Sequence, residues 1–492
     1  MELFIRGFSL NDDTEVMVKL FKELMNLFGI KTAEEGMFFR VRNEVAASPL
    51  QVTTTLVIDN EPPLTQSAAA PADEKPSGAK HRLFKLHLYR ILRQRFQLTA
   101  APWGILHGVR PTKIAHRWLA AGMEAEGIKG RLKQDYACSE AKAELLTAIA
   151  VKQLPLMALS TEKTVSVYVG IPFCLSRCLY CSFPSHVLPG EQKLTEFMRV
   201  FLKDLTAAKE LIDQYGFTVQ SIYVGGGTPT SLPDPFFIAM LEAVYRSFYH
   251  EGLAEFTLEA GRPDSMTEAK ILAMEQAKVT RVSVNPQTMK AATLQRIGRR
   301  HSPEDIVAMY RRLRQTKIPH INMDVILGLP GETVGDVRDT IAKVTALNPD
   351  DITLHALAIK KGSRLKLLLE ENEQTELPSD ETVLEMAAFA HDYLRKSGYS
   401  PYYLYRQGYM RGNLENIGWA KPGAESLYNI EIIEEAQTII GLGGAATTKA
   451  VDHKNKRIRA AFHPKDLTTY LRDIDRYIDK RRQVLCEVYG ES

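Results

Sequence analysis

Cys174, Cys178 and Cys181 stand in the segment IPFCLSRCLYCSFP as a Cys-x3-Cys-x2-Cys run, so three of the chain's five cysteines fall within eight residues. Three thiolates at this spacing can each hold one iron of a 4Fe-4S cluster and leave the fourth iron without a protein ligand. An open iron makes chemistry on a bound molecule available, beyond electron storage. A structural zinc site is the alternative, because His186 follows Cys181 by five residues and completes a Cys3His set. Disulfides fit less well. Met1 to Leu10 carries Glu2 and Arg6, and no small-residue cleavage site follows, so a cytoplasmic, reducing compartment is expected. Clustered thiols there point to metal binding or catalysis. Cys138 and Cys486 lie far off in sequence and read as ordinary free thiols.

Other polar and glycine-rich positions recur at regular places. GGGTPT, Gly225 to Thr230, follows a strand-like run, and three successive glycines let a backbone approach a ligand with no side chain in the way. Glu259 ends one strand-like run, Gln287 follows another, and Asp324 lies inside a third, INMDVILGLPGE. Singly each fits a cap or a loop. Together they suit hydroxyl groups and an ammonium. Arg299, in LQRIGRRH, suits a carboxylate because a guanidinium binds one bidentately, and its neighbour Arg300 competes for that role. A solvated helix end is the alternative for both.

These residues require a scaffold, and the pattern from Thr164 onward supplies one. Six β-branched runs, Val165 to Val169, Ser221 to Val224, Phe256 to Glu259, Arg281 to Val284, Ile321 to Leu327 and Ile352 to Ala358, read as strands. Between them Leu194 to Tyr215, Pro235 to His250, Thr267 to Ala277, Pro303 to Thr316 and Val334 to Leu347 read as helices. Strand-helix alternation builds a parallel sheet, since each return crossing needs a covering helix. The fold class is therefore α/β, with a partial, open (β/α) barrel of six units. Chemistry gathers at the carboxyl ends of such strands.

The rest of the chain adds to this barrel. At 492 residues the chain exceeds one ordinary core. Residues 1–60 read as a small α+β module: Met1 to Arg6, Asp12 to Phe28, Phe38 to Val41 and Gln51 to Ile58 suggest a βαββ order. Residues 61–80, EPPLTQSAAAPADEKPSGAK, are rich in Pro, Ala and Ser and read as a linker. Helical periods dominate residues 81–160, where LFKLHLYRILRQRF suggests an amphipathic helix whose basic face is either solvated or a docking surface. The barrel is assigned to 161–375 and a C-terminal region to 376–492. With 45% hydrophobic and 25% charged residues and a formal charge of +3, the composition is that of a soluble globular protein and implies neither nucleic acid nor an acidic membrane. No run approaches the ~18 apolar residues of a membrane span.

Tyr168 with the IPFC stretch, the three cysteines, GGGTPT, Glu259, Gln287, Arg299, Asp324 with LGLPGE, and Ala358 together resemble the ordered motifs of the oxygen-independent coproporphyrinogen III dehydrogenase family. These are radical S-adenosylmethionine (SAM) enzymes. The likeness runs from Val165 to Gly444. PWGILHGVRPTK (Pro102 to Lys113), EAGRPD (Glu259 to Asp264), VNPQTM (Val284 to Met289) and GNLENIGW (Gly412 to Trp419) look most like the HemZ branch. The resemblance implies a radical SAM barrel and a C-terminal region of HemN type. It implies a 4Fe-4S cluster on Cys174, Cys178 and Cys181, whose free iron is chelated by SAM. One or two SAM molecules would bind. By the same resemblance Tyr168 packs beside the cluster as a catalytic residue, Gly226, Gly227 and Thr228 meet SAM, and Glu259, Gln287, Arg299, Asp324 and Ala358 line the SAM sites.

The implied reaction is anaerobic decarboxylation of two propionates of coproporphyrinogen III, giving protoporphyrinogen IX for haem synthesis. Its partners would be the porphyrinogen and an electron donor such as flavodoxin or ferredoxin. Lys360, Lys361 and Arg406 are candidates for the remaining propionates. Two departures stand out. Decarboxylating members carry a histidine two residues after the tyrosine and a fourth cysteine two after the last ligand, where this chain has Gly170 and Phe183. Haem chaperones of a sister branch use a His-Asn-Leu-x-Tyr-Trp-like element. Arg411-Gly412-Asn413-Leu414 lacks its histidine, although His355 is an alternative ligand. A different radical SAM reaction, such as methyl transfer, and a haem-binding role are the competing readings. The first 160 residues lie outside the shared barrel and fit donor binding, covering of the site or assembly.

Overall fold

The computed structural model describes residues 2–47, 49–360, 362–371, 376–407, 414–455 and 457–490. The chain forms two compact units, Met1–Val151 and Lys152–Ser492.

In the first unit β1 (Phe4–Leu10) leads into α1 (Glu15–Leu27), followed by β2 (Lys31–Thr32), β3 (Met37–Ala47), β4 (Leu50–Ile58) and β5 (Leu64–Ala69). The sheet order is β2-β1-β3-β4-β5. Helix α1 buries Met17, Phe21, Leu24 and Met25 on one stripe, and β4 buries every second residue from Val52 to Ile58. These periods of 3.6 and 2 fix which face meets the core. Helices α2 (Pro76–Phe96), α3 (Thr112–Ala120), α4 (Ala125–Tyr136) and α5 (Glu140–Met157) follow.

Two expectations for this region are corrected. The segment 61–80 is not an unstructured linker, because β5 pairs with β4 from Gln51↔Ala69 to Leu56↔Leu64. Polar side chains replace apolar burial there: Thr53 Oγ1 meets Ser67 Oγ at 2.8 Å and Thr55 Oγ1 meets Thr65 Oγ1 at 3.0 Å. Pro76 then opens α2, a position where its missing N–H is not needed. The basic face of α2 is solvated only in its second half, at Arg90 and Arg95, and its first half is buried. Arg82 grips Glu74 with contacts of 2.6 and 3.0 Å, Lys85 reaches Glu23 at 2.9 Å, and Arg82, Lys85 and His87 are all buried. Arg82 and Lys85 are each paired with a carboxylate from elsewhere in the unit, which a local reading of the helix cannot reveal.

The second unit opens with β6 (Thr164–Ile171), the short pair β7 (Phe173–Cys174) and β8 (His186–Val187), and α6 (Glu191–Gln214). It continues through β9 (Thr218–Gly226), α7 (Asp234–Phe248), β10 (Glu255–Gly261), α8 (Glu268–Gln276), β11 (Arg281–Val284), α9 (Ala291–Arg296) and α10 (Pro303–Arg314). Then come β12 (His320–Leu327), α11 (Val334–Leu347), β13 (Asp351–Ala356), α12 (Arg364–Glu370) and α13 (Asp380–Lys396). Strands β14 (Ser400–Tyr405), β15 (Asn416–Ala420), β16 (Thr438–Gly443), β17 (Thr447–Asp452) and β18 (Arg457–Phe462), with helices α14 (Leu427–Glu434) and α15 (Leu467–Tyr489), complete the chain.

The six expected strands are present and lie side by side in the order β6-β9-β10-β11-β12-β13, all parallel. Helices α10 and α11 begin at capping boxes, Ser302 with Asp305 and Thr333 with Asp336, which set their first turns. The sheet does not stop at six. The pair β14 and β15 adds antiparallel to β13, while β16 adds parallel to β6 and carries β17 and β18, giving eleven strands. Residues after 375 thus extend both flanks of the barrel sheet.

The amino ends of the strands are closed by buried polar groups. Arg281 pairs with Asp351 and lies 4.0 Å from Glu255, whose carboxylate accepts hydrogen bonds from Ser426 and the Leu427 N–H at 2.9 and 2.7 Å. Ser166 Oγ lies within hydrogen-bond distance of Glu431, at 2.7 Å, and of Gln437, at 2.6 Å. This end reads as structural support, leaving the carboxyl end for chemistry.

Candidate active site

The cysteine loop is held by the strand that follows it in the sheet. After β6 the chain enters β7, and the Gly227 and Thr228 N–H groups of the glycine-rich turn donate to Ile171 O and Phe173 O at 2.8 and 2.7 Å. A Cβ on Gly227 would lie 2.4 Å from Phe173 O, so the approach requires glycine. Cys174 Sγ lies 3.6 Å from Thr228 Oγ1. Farther along, Arg262 donates to Ser176 O and Oγ at 3.0 and 2.9 Å, and the Leu179 N–H to Ile297 O at 3.0 Å. All three cysteines are half-buried and none is in a disulfide. Burial pushes the Cys174 and Cys181 thiols above their usual range. A bound cation is what would hold them as thiolates.

Three cysteine thiols on one loop are a donor set for three corners of a 4Fe-4S cluster. Among the described residues no group of three or more His, Cys, Asp or Glu side chains converges on a single metal position. His186, the expected fourth zinc ligand, instead places Nε2 3.2 Å from Lys465 O.

Around the loop the strand ends bring together polar groups that were scattered in sequence. Tyr168 on β6 is opposite Tyr223 on β9, and with Tyr428 of α14 they form a stack, with ring centroids 6.1, 4.4 and 6.3 Å apart. Tyr223 donates to Glu259 Oε1 at 2.6 Å. A Cβ on Gly225 would sit 2.9 Å from the Glu259 carboxyl, so glycine leaves that carboxyl its space. Burial raises the Glu259 pKa from 4.5 to about 7, the charge of Asp324 adds to the rise, and the Tyr223 bond opposes it. Asp324 behaves differently. Burial works against its ionisation, but the His355 ring 3.8 Å away and Asn322 at 2.8 Å keep its pKa below the usual range. Two neighbouring carboxyl groups are thus set to different proton affinities.

Gln287 adopts φ +66°, a left-handed conformation rare for a residue with a side chain. Its backbone bridges to β12, donating to Asp324 O at 2.9 Å and accepting from the Ile326 N–H at 3.0 Å, while its Oε1 is buried without a partner. Arg299 is buried, donates to Tyr180 OH at 3.3 Å and Asn285 O at 2.5 Å, and leaves Nε without a partner. Arg300 lines a cavity of about 590 Å³ together with Arg299, Ser176, His301 and Asp305. Ala358 lies two residues beyond the end of β13 and is half-buried.

The two departures have local explanations. A Cβ at Gly170 would lie 2.4 Å from Gly444 O, because Gly443 and Gly444 at the end of β16 press against β6. Phe183 is 62% exposed, so it points away from the core. Lys360 is half-buried, and burial lowers its pKa against the opposing effect of Cys181. Arg406 is buried just after β14. Lys361 and the Arg411, Gly412 and Asn413 positions of the haem-type element lie outside the described residues. Sequence reasoning missed Tyr223, Tyr428 and Asn322. Alternation along β9 placed Tyr223 on the face of Gly225, a usable signal, whereas nothing local marks Tyr428.

A model of the radical SAM superfamily matches residues 168–344. Over 410 residues, covering 82% of this chain and 81% of the relative, the sequence is 36% identical to the oxygen-independent coproporphyrinogen-III oxidase-like protein HemZ of Bacillus subtilis. The chain belongs to this family of radical SAM proteins. The cofactors of the radical SAM family are a 4Fe-4S cluster and SAM, as the motif resemblance implied. The heme chaperone HemW of Escherichia coli is 26% identical over 321 residues, 65% of this chain and 78% of the chaperone. Among solved structures, the radical SAM coproporphyrinogen III oxidase HemN of Escherichia coli matches with a TM-score of 0.53 over 66% of this chain and 72% of that one. At 22% identity that likeness is one of fold. No described helix is long and apolar enough to cross a membrane.

Proposed function

We propose that the protein is an anaerobic radical SAM dehydrogenase that converts two propionate side chains of coproporphyrinogen III to vinyl groups. The observation that carries this reading is the gathering of Tyr168, Glu259, Gln287, Arg299 and Asp324 at the same ends of the strands that present Cys174. Cluster and SAM together would supply a 5'-deoxyadenosyl radical able to take a hydrogen atom from the β-carbon of a propionate. The cysteines hold the cluster, and Tyr168 forms a wall beside it. The backbone of Gly226, Gly227 and Thr228 lies against the cysteine loop and suits the methionine part of SAM. Arg299 suits its carboxylate, and Glu259, Gln287, Asp324 and Ala358 suit its amino group and ribose hydroxyls.

The residues also exclude water. Tyr168, Tyr223 and Tyr428 fill the space beneath the carboxylates with apolar rings, so a radical there meets few competing hydrogen donors. Positioning a reactive carbon next to the radical is the protein's main contribution. Lys360 and Arg406 are the described candidates for unreacted propionates. The fit with a reducing, cytoplasmic compartment follows from the thiols. An electron carrier such as flavodoxin or ferredoxin would supply the electron for SAM cleavage, and each substrate radical would pass one electron to an acceptor as CO2 leaves and the vinyl group forms.

The similarity to HemW and the position of His355 beside Asp324 favour haem binding as the second reading. Anaerobic incubation of the reconstituted protein with SAM, a reductant and coproporphyrinogen III separates the two. Formation of 5'-deoxyadenosine with substrate-dependent loss of two CO2 supports the dehydrogenase. A haem Soret band on titration, with no SAM turnover, supports the chaperone-like role. Cleavage of SAM with the porphyrinogen unchanged points to another substrate, as in methyl transfer.

A further inference from the structure

Among the described residues the three most exposed large apolar side chains are Val187 at 64%, Phe462 at 64% and Phe183 at 62%. All three belong to the surroundings of the cysteine loop. Phe183 stands two residues beyond Cys181, and Val187 is the register partner of Cys174 across the β7–β8 pair. Phe462 ends β18, far away in sequence, yet the chain just past it returns to the loop, where Lys465 O meets His186 Nε2 at 3.2 Å. Scattered apolar residues on a surface carry no message, but the most exposed ones collected at one functional element mark an interaction site.

The charges around them have a sign. Arg177, between Cys174 and Cys178, is exposed, and its guanidinium donates to a carbonyl, Gly362 O, at 3.1 Å, with no carboxylate partner among the described residues. Lys465 is exposed and has no carboxylate partner among the described residues. The nearest acid, Asp466, is committed to capping α15 through Thr469 N at 2.7 Å and Thr469 Oγ1 at 2.8 Å. Glu191 lies in the first turn of α6, where the helix N-terminus offsets its charge. Two cations without a carboxylate partner among the described residues thus stand on the same loop and returning segment as the three exposed apolar side chains.

We propose that Phe183, Val187 and Phe462, with Arg177 and Lys465, form the docking surface for a small acidic electron-carrier protein bearing a low-potential flavin or iron–sulfur centre. This rests on the reading that the cysteine loop holds the cluster, which must then receive electrons from outside. One electron leaves the reduced carrier and one arrives at the cluster, with no bond made or broken. Apolar anchors would supply affinity, and the cations would steer an acidic partner and make its association sensitive to salt.

The test uses the full-length, cluster-loaded protein with reduced flavodoxin as carrier and dithionite as a small reductant that needs no docking. Binding is read by fluorescence titration and cluster reduction by anaerobic stopped-flow absorbance, for Phe183→Ser, Phe462→Ser and Lys465→Glu. Each serine variant is expected to lose about tenfold in carrier affinity, and Lys465→Glu to flatten the salt dependence, while dithionite reduces every variant at the wild-type rate. Unchanged carrier affinity and carrier-driven reduction in all three variants would overturn the docking surface. A dimer of the wild type that Phe462→Ser dissolves would also overturn it, assigning the face to a second copy. Failure of dithionite to produce a reduced cluster in the wild type would instead overturn the cluster reading beneath the proposal.

Discussion

Glu259→Gln is expected to stabilise the protein without cofactors while weakening its binding of SAM. The half-buried Glu259 carboxyl has its pKa raised by desolvation from 4.5 to about 7, which at about 1.4 kcal/mol per pKa unit corresponds to about 3 kcal/mol. Because the folded-state pKa is the higher one, its favourable contribution is complete below about pH 4.5 and is lost as pH rises through 7. At pH 8.5 the folded protein carries an ionised carboxylate it holds poorly, whereas the unfolded chain solvates it freely. Glutamine stays neutral and keeps an oxygen for the Tyr223 hydrogen bond. Urea unfolding of the cluster-free protein should therefore show Glu259→Gln more stable than wild type by about 2–3 kcal/mol at pH 8.5, with the difference shrinking towards pH 5. Glu431, Glu332 and Asp351 also have pKa values raised to about 7, chiefly by burial. They are common to both proteins and cancel in the comparison. Calorimetric titration of the cluster-loaded variant with SAM should show weakened binding. A variant equally or less stable than wild type at both pH values would refute the claim that this site holds a carboxylate under strain for a ligand.

Further outcomes are expected elsewhere. Gly170→Ala places a Cβ 2.4 Å from Gly444 O, and overpacking of this kind costs about 1–3 kcal/mol; a lower urea midpoint and reduced iron uptake on reconstitution check it. Asp204→Ala leaves Arg481 buried without its partner, now 2.8 Å away, at a cost of about 3–5 kcal/mol. The same variant frees the Gly443 N–H, which donates to Asp204 at 2.8 Å and steadies the turn against β6, so unfolding midpoint and iron content should fall together. Tyr223→Phe removes the 2.6 Å bond to Glu259, and the carboxyl pKa should rise by about 1–2 units, since a hydrogen bond to a charged group is worth about 1.5–3 kcal/mol; the pH at which SAM affinity changes reports it. Cys178→Ser should abolish the visible absorption of the reconstituted cluster, whereas Cys138→Ser and Cys486→Ser leave it intact.

Much of the barrel was legible because its signals are local. Runs such as Val165 to Val169 are buried on both faces and read as interior strands without alternation. The helices expected from Pro303 and from Val334 begin there as α10 and α11, each opened by a capping box, Ser302 with Asp305 and Thr333 with Asp336. Candidate site residues were visible when they sat beside a glycine run or at a strand end. What escaped depends on partners distant in sequence. Strand β5 is stabilised by cross-strand hydroxyl contacts, which its Ala and Ser content conceals. The pairing of β16 with β6 joins Thr438 to Val165 and explains why residue 170 is glycine, but only the assembled sheet displays it. Tyr428 enters the stack from a helix whose own pattern does not distinguish it from a core residue.

The central claim is that this chain directs a radical to the β-carbon of a porphyrinogen propionate. Its most direct test is anaerobic turnover with coproporphyrinogen III deuterated at the propionate β-carbons, read by mass spectrometry. The account predicts deuterium in 5'-deoxyadenosine, in step with the loss of CO2 and formation of vinyl groups. Deuterium-free 5'-deoxyadenosine, or SAM cleavage indifferent to the porphyrinogen, would contradict it.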